Sequence, residues 1–152
     1  MAVVKSGAVL VGDVELADDV SIWYNAVLRG DSEKITVGAQ SNIQENCVIH
    51  VDAGFPATIG RRVTVGHGAI LHGCTIEDEV LIGMGAIVMN GAVVESHSIV
   101  AAGAVVTEGM HVPAGSIVAG CPAKVIKPVS DAQVQSILDA AAEYVQAAGA
   151  EQ

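Results

Sequence analysis

Aliphatic residues recur every six positions through most of this chain. Ile76, Ile82, Val88, Val94, Val100, Val106, Val112 and Val118 form an unbroken series. The same register runs upstream through Val11, Leu16, Ile22, Leu28, Val37, Ile43, Ile49, Ile59, Val65 and Leu71, with small insertions or deletions between some members. Glycine follows the aliphatic residue at many steps, as in Val11-Gly12, Val37-Gly38, Ile59-Gly60, Val65-Gly66 and Ile82-Gly83. A period of six fits neither a helix nor simple strand alternation, and it predicts an all-β solenoid of short strands separated by turns. The aliphatic residues point inward, and the residue after each points outward.

The repeat is expected to end near Ile126, where Lys127-Pro128-Val129 interrupts it. Ser130 reads as a helix N-cap, and Gln133 three residues on completes a capping box. Val134, Ile137, Leu138, Ala141, Val145 and Ala148 then fall on one helical stripe. A lone helix of this length is marginal in water, so the stripe must pack on the solenoid or on a neighbouring chain as an architectural clamp. The expected division is residues 1–128 for the solenoid and 129–152 for the C-terminal helix, with residues 149–152 frayed.

Composition agrees with a narrow core. The 152 residues are 51% apolar yet only 3% aromatic, as expected of stacked layers filled by Val, Ile, Leu and Ala within one domain. No apolar run reaches the roughly 18 residues that span a bilayer. The start, Met1-Ala2-Val3-Val4-Lys5, lacks the layout of a signal peptide, which predicts a cytoplasmic protein. Seventeen acidic against seven basic side chains give a formal charge of -10, which argues against nucleic acid or an anionic membrane as partner. Cys47, Cys74 and Cys121 form no CxxC pair and read as reduced, structural residues; Cys74, two residues after His72, is the one expected nearest any site. Gly66-His67-Gly68 and Gly83-Met84-Gly85 are solenoid corners rather than phosphate loops, since no GxGxxG opens a helix after a strand.

The chemistry lies in the histidines. With Ile49 and Leu71 inward, His50 and His72 take the following outward positions. Three repeats separate them, lengthened by a four-residue insertion in the loop of residues 52–58, so on a triangular prism they stack on adjacent coils about 5 Å apart. Two imidazoles that close can converge on one ion at roughly 2.0–2.1 Å. His67 belongs to the preceding side of the triangle and points away from that ion, so it is placed to complete a site on a neighbouring chain, a threefold ring using each side once. Arg29 shares the outward column of His50 and His72, and Asp31, two residues on along the same side of the strand, can compensate it, either as an ordinary surface ion pair or as a rigid pair that shapes a subunit contact. Gln44, in the outward slot one side before His50, is either a solvated side chain or a hydrogen-bonding partner of metal-bound solvent or substrate.

Arg29-Gly30-Asp31, Asn42-Ile43-Gln44-Glu45-Asn46, His50, the stretch Gly66-His67-Gly68-Ala69-Ile70-Leu71-His72-Gly73-Cys74, and Ile82-Gly83-Met84-Gly85 resemble, in order and spacing, the gamma-class carbonic anhydrase family, including its carbonic anhydrase-like hexapeptide-repeat members. The resemblance covers about residues 7–128. It implies a left-handed parallel β-helix of hexapeptide repeats with a C-terminal α-helix, assembled as a homotrimer with zinc at the subunit interfaces. It further implies that His50 and His72 are the two ligands from one subunit and His67 the ligand from its neighbour, that Arg29 and Asp31 form the inter-subunit ion pair, and that Gln44 stands beside the metal-bound solvent. The implied reaction is reversible hydration of carbon dioxide to bicarbonate by metal-bound hydroxide, with Zn2+ as cofactor and Fe2+ or Co2+ fitting the same three imidazoles.

The chain departs from the best-known active pattern. Residues 51–58 are a short loop offering only Asp52 where an acidic loop with a glutamate proton shuttle is expected, and Ser32 follows Arg29-Gly30-Asp31 where a glutamate is typical. Slow, buffer-dependent or absent turnover is therefore expected. Gly120-Cys121-Pro122-Ala123-Lys124 resembles the closing motif of hexapeptide acyltransferases, which keeps acyltransferase or thioesterase chemistry on acyl-CoA as an alternative, although no long loop carries a histidine base. His97 and His111 have no matched partner nearby in sequence. A metal-binding scaffold without turnover is the third alternative.

Overall fold

Each six-residue step folds into a strand of two or three residues and a turn, and three columns of such strands enclose the core. In the computed structural model, which describes residues 1–150, they build a parallel β-solenoid of about six turns. The first face holds Ser21–Ile22, Asn42–Ile43, Thr64–Val65, Leu81–Ile82, Ile99–Val100 and Ser116–Ala119; the second holds Val48–His50, Ile70–His72, Ile87–Val88 and Val105–Val106; the third holds Ala57–Ile59, Thr75–Ile76, Val93–Val94 and His111–Val112. The long strand Val27–Val37 bends across a corner. Its start pairs with Val48–His50 on the second face and its end with Ala57–Ile59 on the third.

One coil delivers one inward side chain per face. Ile43, Ile49 and Ile59 form one layer, Val65, Leu71 and Ile76 the next, and Ile82, Val88 and Val94 the one after, all at most 2% exposed. Each such side chain contributes about 1.5–3 kcal/mol of burial. The register is therefore fixed layer by layer, since a one-residue slip would turn every aliphatic side chain outward. At the corner between the first and second faces, Asn46 and Gly68 take the left-handed conformation, with φ of 61° and 68°, which asparagine and glycine adopt at least cost.

The first turn departs from the six-step reading. Leu10, not Val11, pairs with Leu28 and packs on the core, while Val11 is 45% exposed. A register shift between Gly12 and Val14 accounts for the slip and restores Leu16 opposite Val37. The other end differs as well. Lys127 and Pro128 do not merely interrupt the repeat: Lys124–Pro128 is a strand that turns back antiparallel along Ser116–Ala119.

The helix Asp131–Ala150 begins with the expected capping box. Ser130 Oγ accepts from the Gln133 backbone N–H at 3.2 Å, and Gln133 Oε1 accepts from the Ser130 N–H at 2.9 Å. Ile137, Ala141 and Ala148 of the stripe are buried, and the helix lies on the first face over Ser21–Ile22, Asn42–Ile43 and Thr64–Val65. Tyr144 meets Trp23 edge-on with centroids 5.2 Å apart. The last turn has no basic residue of its own, and Lys5 from the start of the chain donates from Nζ to the Ala148 carbonyl at 3.1 Å. Gly149 and Ala150, expected to fray, are helical; Glu151 and Gln152 lie outside the described residues. Among the described residues no helix is long and apolar enough to cross a membrane.

Candidate metal centre

The outward column of the second face carries Arg29, His50 and His72 as successive register partners. The two imidazole rings stand 4.9 Å apart at 79°, with His50 Nδ1 3.0 Å from His72 Nε2. Their remaining nitrogens are both committed. His50 Nε2 lies 2.9 Å from Asp31 Oδ1, and His72 Nδ1 lies 2.7 Å from Asn90 Oδ1. The Asn90 amide is oriented by its other end, where Nδ2 donates to Asp52 Oδ2 at 2.8 Å. Asp31 in turn holds the Arg29 guanidinium. The hydrogen bond from His50, ahead of the Arg29 charge, keeps the Asp31 carboxyl below the usual carboxylate range.

These partners decide the tautomers. Asp31 and Asn90 Oδ1 can only accept, so each neutral ring carries its proton on the outer nitrogen. The inner nitrogens, His50 Nδ1 and His72 Nε2, then face one another as two bare lone pairs. A proton or a metal cation between them satisfies both. Two nitrogens bound tetrahedrally at about 2.0–2.1 Å from zinc lie roughly 3.3–3.4 Å apart, so the rings fit one ion after opening by a few tenths of an ångström. Outer acceptors that fix imidazole ligands in this way are a regular feature of metal sites.

The other predicted residues cluster elsewhere on the chain. His67 stands at the corner between the first and second faces, with Nδ1 2.7 Å from Glu45 Oε2. Gln44 is 5% exposed and donates to Asn42 Oδ1 at 3.1 Å, so it is not a solvated side chain. It lines a groove of about 470 Å3 together with Thr64, His67, Met84, Ile99 and Tyr144. Among the described residues no three His, Cys, Asp or Glu side chains of one chain are grouped to hold a metal ion. One edge of the second face thus carries Arg29, Asp31, His50 and His72, and the other carries Gln44, Glu45 and His67.

Cys74 follows His72 by two residues but turns its side chain to the opposite, inner side of the coil. Burial pushes its thiol up to about 12, as burial pushes Cys47 up to about 11. His97 and His111 do have partners: His97 Nδ1 is 3.1 Å from Glu79 Oε2 and His111 Nε2 is 2.9 Å from Glu95 Oε1. Three contributors were missed in the sequence: Asn90, Asp52 as its anchor, and Glu45. A register signal existed for two of them, because Asn90 follows His72 by one coil and Glu45 precedes His67 by the same offset that separates His50 from His72.

Known proteins share this framework. Residues 73–108 match the family described as bacterial transferase hexapeptide (six repeats). The chain is 53% identical over 142 residues to a probable carbonic anhydrase of Methanocaldococcus jannaschii, a match spanning 93% of this chain and 89% of that one. It is 52% identical over 149 residues to the mitochondrial gamma carbonic anhydrase 3 of Arabidopsis thaliana, covering 94% of this chain and 58% of that longer protein. Among solved structures, a hexapeptide transferase family protein from Anaplasma phagocytophilum superposes with a TM-score of 0.90 at 38% identity, covering 99% of this chain and 93% of its own.

Proposed function

Because this chain belongs to the gamma-class carbonic anhydrase family of hexapeptide-repeat proteins, we propose that it catalyses reversible hydration of carbon dioxide at a metal held between subunits of a homotrimer. The observation that carries the proposal is the pair of inner nitrogens, His50 Nδ1 and His72 Nε2, 3.0 Å apart while the outer nitrogen of each ring lies on an oxygen acceptor. His67 of a neighbouring subunit is the third ligand in this reading, with Glu45 holding its ring through Nδ1. Zn2+ held there, or Fe2+ or Co2+, would supply Lewis acidity, which for zinc lowers the pKa of bound water to about 7.

The surface between the two edges supports assembly. Val9, Val27, Val48, Ile70, Ile87 and Val105 are consecutive outward register partners along the second face. Val9, Val48 and Ile70 are 47%, 36% and 37% exposed in the single chain, an apolar column suited to burial against another copy. Closing a threefold ring on that column would bring the edge with His67 to the edge with His50 and His72. In that arrangement Arg29 and Asp31 brace the contact and Gln44 faces the reacting carbon dioxide.

Hydration releases one proton for each bicarbonate formed. Residues 51–58 present a single carboxylate, Asp52, and it accepts from Asn90. Turnover is therefore expected to depend on buffer. Stopped-flow hydration by zinc- or iron-reconstituted protein, with His72→Ala as control, tests the proposal. Hydration above the buffer background that vanishes in the variant is expected. A fully metallated trimer without hydration sinks the proposal and leaves acyltransferase or thioesterase chemistry, or a structural role, as the better reading.

A further inference from the structure

We propose that Asn90 and Asp52 are positioning residues for His72, and that Asp52, the one carboxylate of the short loop, acts through this relay instead of carrying protons. The inference rests on the reading of His50 and His72 as metal ligands. His72 Nδ1 reaches Asn90 Oδ1 at 2.7 Å, and an amide could present either end to that ring. Asp52 removes the ambiguity: it can only accept, at 2.8 Å, so Asn90 must turn Nδ2 toward it and Oδ1 toward His72. The ring proton is thereby kept on Nδ1 and the lone pair on Nε2, the nitrogen 3.0 Å from His50.

The backbone is shaped for the relay. Gly73, directly after His72, has a φ of 56°, and a Cβ there would collide with Asn90 Oδ1 and come within 2.7 Å of Phe55 Cβ. A side chain at position 73 would therefore evict the acceptor. The loop that carries Asp52 is pinned by an antiparallel bridge from Asp52 to Phe55, and the Phe55 N–H donates to the Asp52 carbonyl at 2.8 Å. Asp52 is thus delivered to Asn90 by a tight turn, not by a mobile arm.

Zinc affinity of the full chain, measured by competition with a chromophoric chelator, and the visible spectrum of the cobalt form test this independently of turnover. Asn90→Ala and Asp52→Ala should weaken zinc binding, Asn90→Ala by about 10–100-fold, and alter the cobalt bands. Asp52→Asn keeps an acceptor oxygen for the Asn90 amide but also offers a donor, so it should recover only part of the affinity that Asp52→Ala loses. Asp52 is exposed, so its variants report even if Asn90→Ala does not fold. Wild-type affinity in Asn90→Ala and Asp52→Ala, alongside loss of zinc in His72→Ala, overturns the relay and leaves the metal site standing. An Asp52→Asn protein that retains its zinc but needs added imidazole to reach the rate of the parent in the same buffer makes Asp52 a proton acceptor and also overturns it. Zinc retained by His72→Ala removes the metal site and the relay together.

Discussion

Glu45 and His67 lie on adjacent coils of one corner, 2.7 Å apart through Oε2 and Nδ1. The carboxylate fixes the ring and leaves Nε2 as the nitrogen free to meet another molecule. Since His67 does not join His50 and His72 within one chain, activity should complement between differently damaged subunits. His67→Ala and His72→Ala proteins are each expected to be inactive. Unfolded together in equal amounts and reassembled, they should regain about a quarter of the intact sites, because a random ring pairs the two undamaged halves at that frequency. No recovery in verified mixed trimers would place all ligands within one subunit.

Lys5 caps the helix that closes the first face. Its ammonium reaches the Ala148 carbonyl and stands 5.2 Å from the centre of the Trp23 ring. Lys5→Met keeps the aliphatic stem but removes charge and donor, and should cost about 1–3 kcal/mol in urea unfolding. A change below a few tenths would mean that solvent replaces the lysine at no cost.

The buried thiols predict an alkaline limit. Cys47 and Cys74 are pushed up to about 11 and about 12, chiefly by burial, whereas unfolded thiols ionise near ~8.5. The folded chain therefore holds these protons more tightly. The stability they contribute is whole below about pH 8.5 and is lost as pH climbs through the folded values. The fall in melting temperature between pH 8.5 and 11 should be shallower in Cys47→Ala/Cys74→Ala than in the parent. Iodoacetamide at pH 8 should modify exposed Cys121 alone until the chain is denatured.

Metal removal should separate function from fold. The layers of Ile, Val and Leu contain no metal ligand, so dipicolinate treatment is expected to abolish hydration while the far-ultraviolet circular dichroism keeps its β-solenoid form. Collapse of the spectrum on chelation would show instead that the metal holds the coils together.

The parts of this structure visible in the sequence are those governed by a period. His50 could be placed over His72 because every step between them has an inward aliphatic residue, and the loop insertion shifts the count without disturbing the register. Where the period slips, at Gly12 to Val14, counting picks Val11 over Leu10. Contacts outside the period leave no local mark. Lys5 reads as an ordinary surface lysine until the chain end 143 positions away lies beside it. The period places Asn90 one coil after His72, but its orientation depends on a carboxylate delivered by a loop 38 positions earlier.

The reversed strand Lys124–Pro128 also bears on solubility. A pile of parallel coils would otherwise end in a ladder of unpaired N–H and C=O groups, a template on which another copy could add itself and grow a fibre. On the first face that ladder is occupied by a strand running the wrong way to continue the stack. It carries Lys124 and Lys127, and it finishes at Pro128, which has no N–H to offer. A protein built from a repeat that could in principle extend without limit is thereby given a last rung.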